Sequence, residues 1–229
     1  MALHSSPREF ALGEHAILAG ALLKNEIPEI KVQPQVGSVQ YFSQDREIFS
    51  EGAAAEYFYK LASGVVRTCK FLADGRRQIG AFHFAGDIFG FEPGTDHILS
   101  AEAVTDCTVI AYRKTKLDIS AISDRLLSQE LLAFAMHGMA RAQQHSLLLG
   151  RRSAIEKVAR FLLDCAEKST DHRNVTLAMT RQDIADYLGL TIETVSRTLS
   201  QLERDNVIDL PSARQIGLRN LNTLEDLAA

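Results

Sequence analysis

The apolar positions change rhythm twice along the chain. Residues 41–114 are rich in Phe, Tyr, Val, Ile and Thr and are broken by Gly52, Gly64, Gly75 and Gly86, at intervals of 12, 11 and 11 residues. Short strand-like runs punctuated by turn residues at that spacing predict an all-β roll or sandwich. Tyr57-Phe58-Tyr59-Lys60-Leu61 precedes Gly64 and then Val65-Val66-Arg67-Thr68-Cys69, and Asp74-Gly75 between strand-like stretches is a hairpin signal. Upstream, residues 1–35 read as a tail with a short helical stretch at residues 14–23.

Past residue 120 the β-branched residues thin out. Residues 124–150 are rich in Leu, Ala, Met and Gln, contain no proline and predict one long helix. Leu132, Ala135, Met139, Ala142, Ser146 and Leu149 follow the 3-4-3-4-3 spacing of a coiled-coil seam, with Leu131 and Phe134 beside it and able to pack on the β domain. A one-sided stripe can face its own core or a second subunit; a small β-roll is a poor cover for so long a helix, which favours a dimer. Residues 153–168 place Ile155, Val158, Ala159, Leu162 and Leu163 at helical intervals, Asn174 to Leu177 reads as a brief strand, and residues 207–218 are β-like on either side of Pro211-Ser212. The expected division is a tail at 1–35, a β-roll at 36–118, a long helix at 119–150 and a second module at 151–229.

Composition narrows the function classes. The 229 residues are 46% apolar and 24% charged, as in ordinary globular domains, with a formal charge of −4. The longest apolar run, from Leu131 to Met136, is far short of the roughly 20 residues that cross a bilayer, and the first ten residues lack a signal-peptide core, so no membrane partner is expected. Cys69, Cys107 and Cys165 form neither a disulfide framework nor a zinc pattern, which points to a reducing cytoplasm. Residues 1–150 hold 14 basic and 17 acidic groups and residues 151–229 hold 11 and 12. Neither half has the excess positive charge of an electrostatic nucleic-acid binder, so DNA binding would have to come from the arrangement of a few residues.

Such an arrangement lies at residues 179–202. Thr180 with Asp183 resembles a capping box, Ile184, Ala185 and Leu188 give one helix an apolar face, Gly189 supplies a turn, and Thr191 is a fresh N-cap. Val195, Leu199 and Leu202 line one side of a second helix, so the segment reads as helix-turn-helix, whose second helix enters the major groove. Ile192, Glu193, Ser196 and Arg197 share the opposite face in its first two turns. Arg197 could donate twice to guanine, Glu193 could accept from cytosine N4, and Ser196 and Ile192 could meet a thymine methyl or a neighbouring acceptor. Arg181, Gln182, Thr180, Thr191 and, on a hairpin-like wing, Arg214 suit phosphate oxygens. The alternative for Glu193 and Arg197 is an i,i+4 surface ion pair; the capped glycine turn before them and the wing after them favour base readout.

On these residues the sequence resembles the CRP/FNR superfamily of bacterial transcription regulators. The stretch from Arg77 to Phe91, Leu147-Leu148-Leu149-Gly150-Arg151, and Glu193-x-x-Ser196-Arg197 preceded by Ile192 resemble its FNR/FixK branch. The resemblance implies an α+β architecture: an antiparallel β-roll like a cyclic-nucleotide-binding jelly roll, a long dimerisation helix and a C-terminal winged helix-turn-helix. It implies a homodimer on a twofold duplex site like TTGAT-N4-ATCAA, an activator role under low oxygen, and contact with RNA polymerase from loops that include Asp74, Gly75, Arg76 and Arg77. Nothing before Cys69 is a cysteine, and three cysteines cannot complete the four-cysteine iron–sulfur set of oxygen-sensing FNR proteins. Where cyclic-AMP binders carry Gly-Glu and then Arg-Ser, this chain has Gly86-Asp87 and then His97-Ile98, and Ile cannot donate to a phosphate. What remains resembles FixK-type regulators without a cofactor. The alternative keeps the architecture but needs a haem or organic effector, with His83 or His97 as candidate ligands. No nucleophile–base pair or phosphate-cradling glycine loop points to an enzyme.

Overall fold

The computed structural model describes residues 37–114, 125–151, 153–169 and 171–228, without the side chains of residues 125–131. The expected tail with its short helix at residues 14–23, the first part of the long helix at 119–124, and the side chain of Leu131 lie outside the described residues.

Eight strands build the roll: β1 (Gly37–Phe42), β2 (Glu47–Phe49), β3 (Tyr57–Ser63), β4 (Val66–Phe71), β5 (Arg77–His83), β6 (Ile88–Phe89), β7 (Ser100–Ala103) and β8 (Cys107–Arg113). They pair antiparallel in two four-stranded sheets, β1-β8-β3-β6 and β2-β7-β4-β5. Leu61, Val109 and Ala111 from one sheet and Val66, Ala101 and Ala103 from the other share a buried cluster, so this is a two-layer roll closed on its own core. Asp74-Gly75 does turn the β4–β5 hairpin: Gly75 has φ +82°, and Leu72 and Arg76 are joined by a backbone hydrogen bond of 2.8 Å. Gly64, at φ +89°, is needed for another reason as well, because a Cβ there would lie 2.4 Å from the Asp106 carbonyl oxygen.

The long helix forms as expected, as α1 (Arg125–Leu149). Phe134 meets Phe91 of the roll edge-on, Arg141 pairs with Asp87, His145 stacks on Tyr187, and Leu148 is buried. Those positions repeat at helical intervals and hold α1 to its own chain. Leu132 (62% exposed), Ala135, Met139 (57%), Ala142 and Ser146 lie about 130° around the helix and are exposed. Leu149, the last residue of the expected seam, departs from this row: it is half-buried, and its Cδ2 lies 3.5 Å from where a Gly189 side chain would begin.

The C-terminal module contains α2 (Ala154–Glu167), β9 (Asn174–Thr176), α3 (Arg181–Leu188), α4 (Ile192–Arg204), β10 (Ile208–Asp209), β11 (Gln215–Leu218) and α5 (Leu221–Ala228). Ser153 caps α2, and the three strands form a small sheet ordered β10-β11-β9. The closing helix α5, which the sequence reading lacked, packs on α2 and buries Leu224. The module's core, with Leu162, Ile184, Leu188, Leu199 and Leu202, is continuous with Val65, Cys69, Ile79 and Phe82 of the roll and Leu148 of α1. The two modules therefore share one apolar core.

Gly64→Ala combines a left-handed backbone with a backbone clash, whereas Gly75→Ala meets nothing within 4 Å. Urea unfolding is expected to show a loss of roughly 1–2 kcal/mol for Gly75→Ala and more than about 3 kcal/mol for Gly64→Ala.

Candidate nucleic-acid interface

The local sequence folds residues 180–204 into two capped helices. The Thr180 hydroxyl accepts from the Asp183 amide at 3.1 Å, and the Asp183 carboxylate accepts from the Thr180 amide at 3.0 Å and its hydroxyl at 2.8 Å. The reciprocal box forms with aspartate in place of the longer acid. Gly189 ends α3 in the left-handed region, at φ 63°, with its amide donating to Ala185. Thr191 then starts α4 by accepting from the Thr194 amide at 3.2 Å. Val195, Thr198, Leu199 and Leu202 turn inward.

The opposite face of α4 is open. Glu193, Ser196 and Arg197 are exposed and Ile192 is 37% exposed, so the four candidate base readers share one free face of the first two turns. The Glu193 carboxylate is held below its ordinary range, chiefly by its own backbone amide and then by the Thr191 hydroxyl, with Arg197 the smallest contributor. The acid is thus tied to the helix start more than to its neighbour four residues on.

The expected phosphate contacts fall into two groups. Thr191 and Arg214 are exposed, the latter on the turn between β10 and β11, where its amide donates to Ser212 at 3.3 Å. Near α3 two of the three side chains have partners within the protein. The Thr180 hydroxyl serves the capping box, and the exposed Gln182 donates to Asp186 at 2.6 Å. Arg181 is half-buried, one terminal nitrogen lacks a partner, and burial lowers its pKa.

The four expected polymerase-contact residues divide into an exposed tip and one inward arginine. Asp74, Gly75 and Arg76 form an exposed tip, where Arg76 donates to Asp74 at 2.7 Å. Arg77, by contrast, points into the junction between the modules, because two carboxylates of α3 lie within its reach. It donates to Asp186 at 2.8 Å and to Asp183, and Gln78 donates to the Asp186 carbonyl at 2.8 Å. Arg67 reaches Asp183 at 3.2 Å and Glu102 at 2.7 Å. Sequence reasoning missed this junction. The partners lie more than 100 residues apart, and the one local hint was the short acid in the capping box.

The histidine candidates are packed into the roll. His83 is buried, shares a 3.1 Å hydrogen bond with Thr68, and has its pKa pushed down to about 4 by burial. His97 stacks on Phe49 at 3.7 Å, while Ile98 is 63% exposed. Among the described residues no group of three or more His, Cys, Asp or Glu is placed to hold a metal ion, and no helix is long and apolar enough to cross a membrane. Burial raises the thiols of Cys69, to about 11, and Cys107, which keeps them protonated.

Comparison with known proteins agrees with this arrangement. The model of the Crp-like helix-turn-helix domain matches residues 156–227, and that of the cyclic nucleotide-binding domain matches residues 39–119. The nitrogen fixation regulation protein FixK of Azorhizobium caulinodans is 48% identical over 202 residues, covering 86% of this chain and 82% of that protein. FixK of Rhizobium meliloti is 42% identical, covering 88% and 93%. The structure of FixK2 from Bradyrhizobium japonicum superposes with a TM-score of 0.81 at 44% identity, covering 85% of this chain and 98% of that one.

Because the folded His83 resists protonation while the unfolded ring does not, its neutral form contributes stability that is full above about pH 6.5 and is lost as pH falls towards 4. Thermal unfolding scanned over that range is expected to weaken, and His83→Gln to flatten the slope between those values even if it lowers stability at pH 7.

Proposed function

The chain belongs to the CRP/FNR family of transcription regulators, in its FixK-like branch, and we propose that it acts as a cytoplasmic homodimer that binds a TTGAT-N4-ATCAA-like site without a cofactor. On this reading it recruits RNA polymerase as an activator in the response to low oxygen. The observation that carries the proposal is the exposed set Ile192, Glu193, Ser196 and Arg197 on the opening turns of a capped, rigidly seated helix. Side chains there reach base edges when the helix enters the major groove, while Thr191 and Arg214 flank them as phosphate contacts.

The twofold dimer is supported by the outward row on α1. Leu132, Ala135, Met139, Ala142 and Ser146 stay exposed although the other face of the same helix is packed. A second copy of α1 is the natural cover for an apolar row at heptad spacing. Two recognition helices would then meet DNA about one turn apart, roughly 34–36 Å.

Independence from a small molecule is supported by the state of Asp87. One carboxylate oxygen accepts from the Phe84 amide at 2.9 Å and the other from Arg141 of α1 at 2.8 Å. The link between the roll and the long helix is made by the chain's own side chains. The polymerase contact is assigned to the exposed tip at Asp74, Gly75 and Arg76. Low oxygen is the setting implied by the resemblance to FixK-type regulators.

Selection of bound duplexes by the untreated protein at fixed salt is expected to return a twofold site; a requirement for haem or an added metabolite would instead establish the effector-dependent reading. Arg197→Ala is expected to lose about 1–3 kcal/mol of discrimination at one base pair, and Arg181→Ala to weaken all duplexes alike with a shallower salt dependence. Met139→Glu is expected to give monomers by sedimentation and to abolish cooperative occupation of the two half-sites.

A further inference from the structure

The junction between the modules joins α3 to the roll through charge as well as apolar packing. Arg67 on β4 and Arg77 on β5 have side chains only 10% and 17% exposed, and Asp183 and Asp186 on α3 are 3% and 11% exposed. Arg77 alone spans both acids, Arg67 spans Asp183 and Glu102 of β7, and Gln78 holds the Asp186 carbonyl. A second tie comes from α1, where His145 hydrogen-bonds the Tyr187 carbonyl at 2.9 Å and stacks on its ring at 4.1 Å. Since α3 and α4 share a buried core, wherever α3 is held, α4 follows.

From this junction we infer that Arg77, assisted by Arg67, is a positioning residue for DNA readout: it fixes α3, and hence the base-reading face of α4, relative to the dimer helix. Neither arginine is among the residues that would touch DNA. Each has a second effect through charge. Asp183 and Asp186 lie in the helix that precedes the reading helix, and uncompensated they would repel a phosphate backbone; the two guanidiniums neutralise them from the neighbouring module. A guanidinium is suited to this role because it can bridge two carboxylates at once, whereas an ammonium acts as a single point charge. Removing one partner of a buried pair leaves the other desolvated and unpaired, so the junction favours one docked arrangement.

This inference rests on α4 being the helix that reads DNA, and the test separates the two. In the full-length protein, Arg77→Asp, Asp186→Arg and the exchanged pair are compared by hydrogen exchange of α3 and β5 without DNA, and by affinity for a selected site and a scrambled duplex at one salt concentration. The single changes are expected to accelerate exchange at α3 and β5 and to reduce the preference for the selected site by about tenfold or more; the exchanged pair, which restores the 77–186 pairing but not the bridge to Asp183, should recover part of both. If either single variant fails to fold, Arg77→Lys, which keeps the charge but not the bridge, is expected to give an intermediate loss in both readouts. Unchanged exchange and preference in the single variants would overturn the proposal. So would tighter binding, which would make the junction a restraint on DNA binding, or loss of both in an exchanged pair that melts like the parent. If α4 does not read DNA, the parent protein will show no preference among duplexes, while exchange still reports whether Arg77 holds the junction.

Discussion

The arrangement of the molecule depends on one buried carboxylate. Asp183 is almost fully enclosed where α3 meets the roll, and burial alone would drive its carboxyl towards the neutral form. Hydrogen bonds from Thr180 and the charges of Arg67 and Arg77 outweigh that tendency and hold it ionised. Its two oxygens do different work. One closes the capping box that starts α3, and the other receives arginines from a module more than 100 residues away in sequence. Local helix formation and domain docking therefore meet on a single side chain.

The long helix obeys a related constraint. A 25-residue helix presents more surface than a small roll can cover, and α1 divides it. One face carries Phe134, Arg141, His145 and Leu148 and uses an aromatic contact, an ion pair, a stacked imidazole and an apolar plug to bind the roll and the helix-turn-helix of its own chain. The other carries the exposed heptad row. Because the intramolecular contacts occupy separate positions, a second copy could pack on the row without displacing them.

Much of this was legible in the sequence because it is local. The glycine intervals marked the strand turns, the absence of proline marked the long helix, and Thr180, Gly189 and Thr191 marked the limits of the helix pair, all through short-range capping and turn chemistry. The free face at Ile192, Glu193, Ser196 and Arg197 followed from helical periodicity. The junction was not legible, since nothing local distinguishes Arg77 from its exposed neighbour Arg76 or shows that Asp186 will meet a roll residue. Leu149 differs from the rest of its expected row in being half-buried, at the last turn of α1 and close to the Gly189 turn. The helix at Leu221–Ala228 was missed although Asn220 caps it, its side chain accepting from the Thr223 amide at 3.1 Å: the apolar pattern after that asparagine is only eight residues long.

Charge placement closes the argument. The residues after Gly150 hold 11 basic and 12 acidic groups, a poor recipe for a polyanion ligand if all were equally exposed. They are not. Asp183 and Asp186 are neutralised at the junction, and Asp164 is drawn into a pair with Arg160 at 2.8 Å. Arg197 and Arg214, by contrast, stay exposed on α4 and on the turn between β10 and β11. A near-neutral chain can thus leave individual guanidiniums free for phosphates and bases, with Glu193 exposed beside Arg197, and without the broad basic surface that favours indiscriminate binding. Selectivity in such a protein must come from how accurately a few side chains are held, and that is a task for the core shared by the two modules.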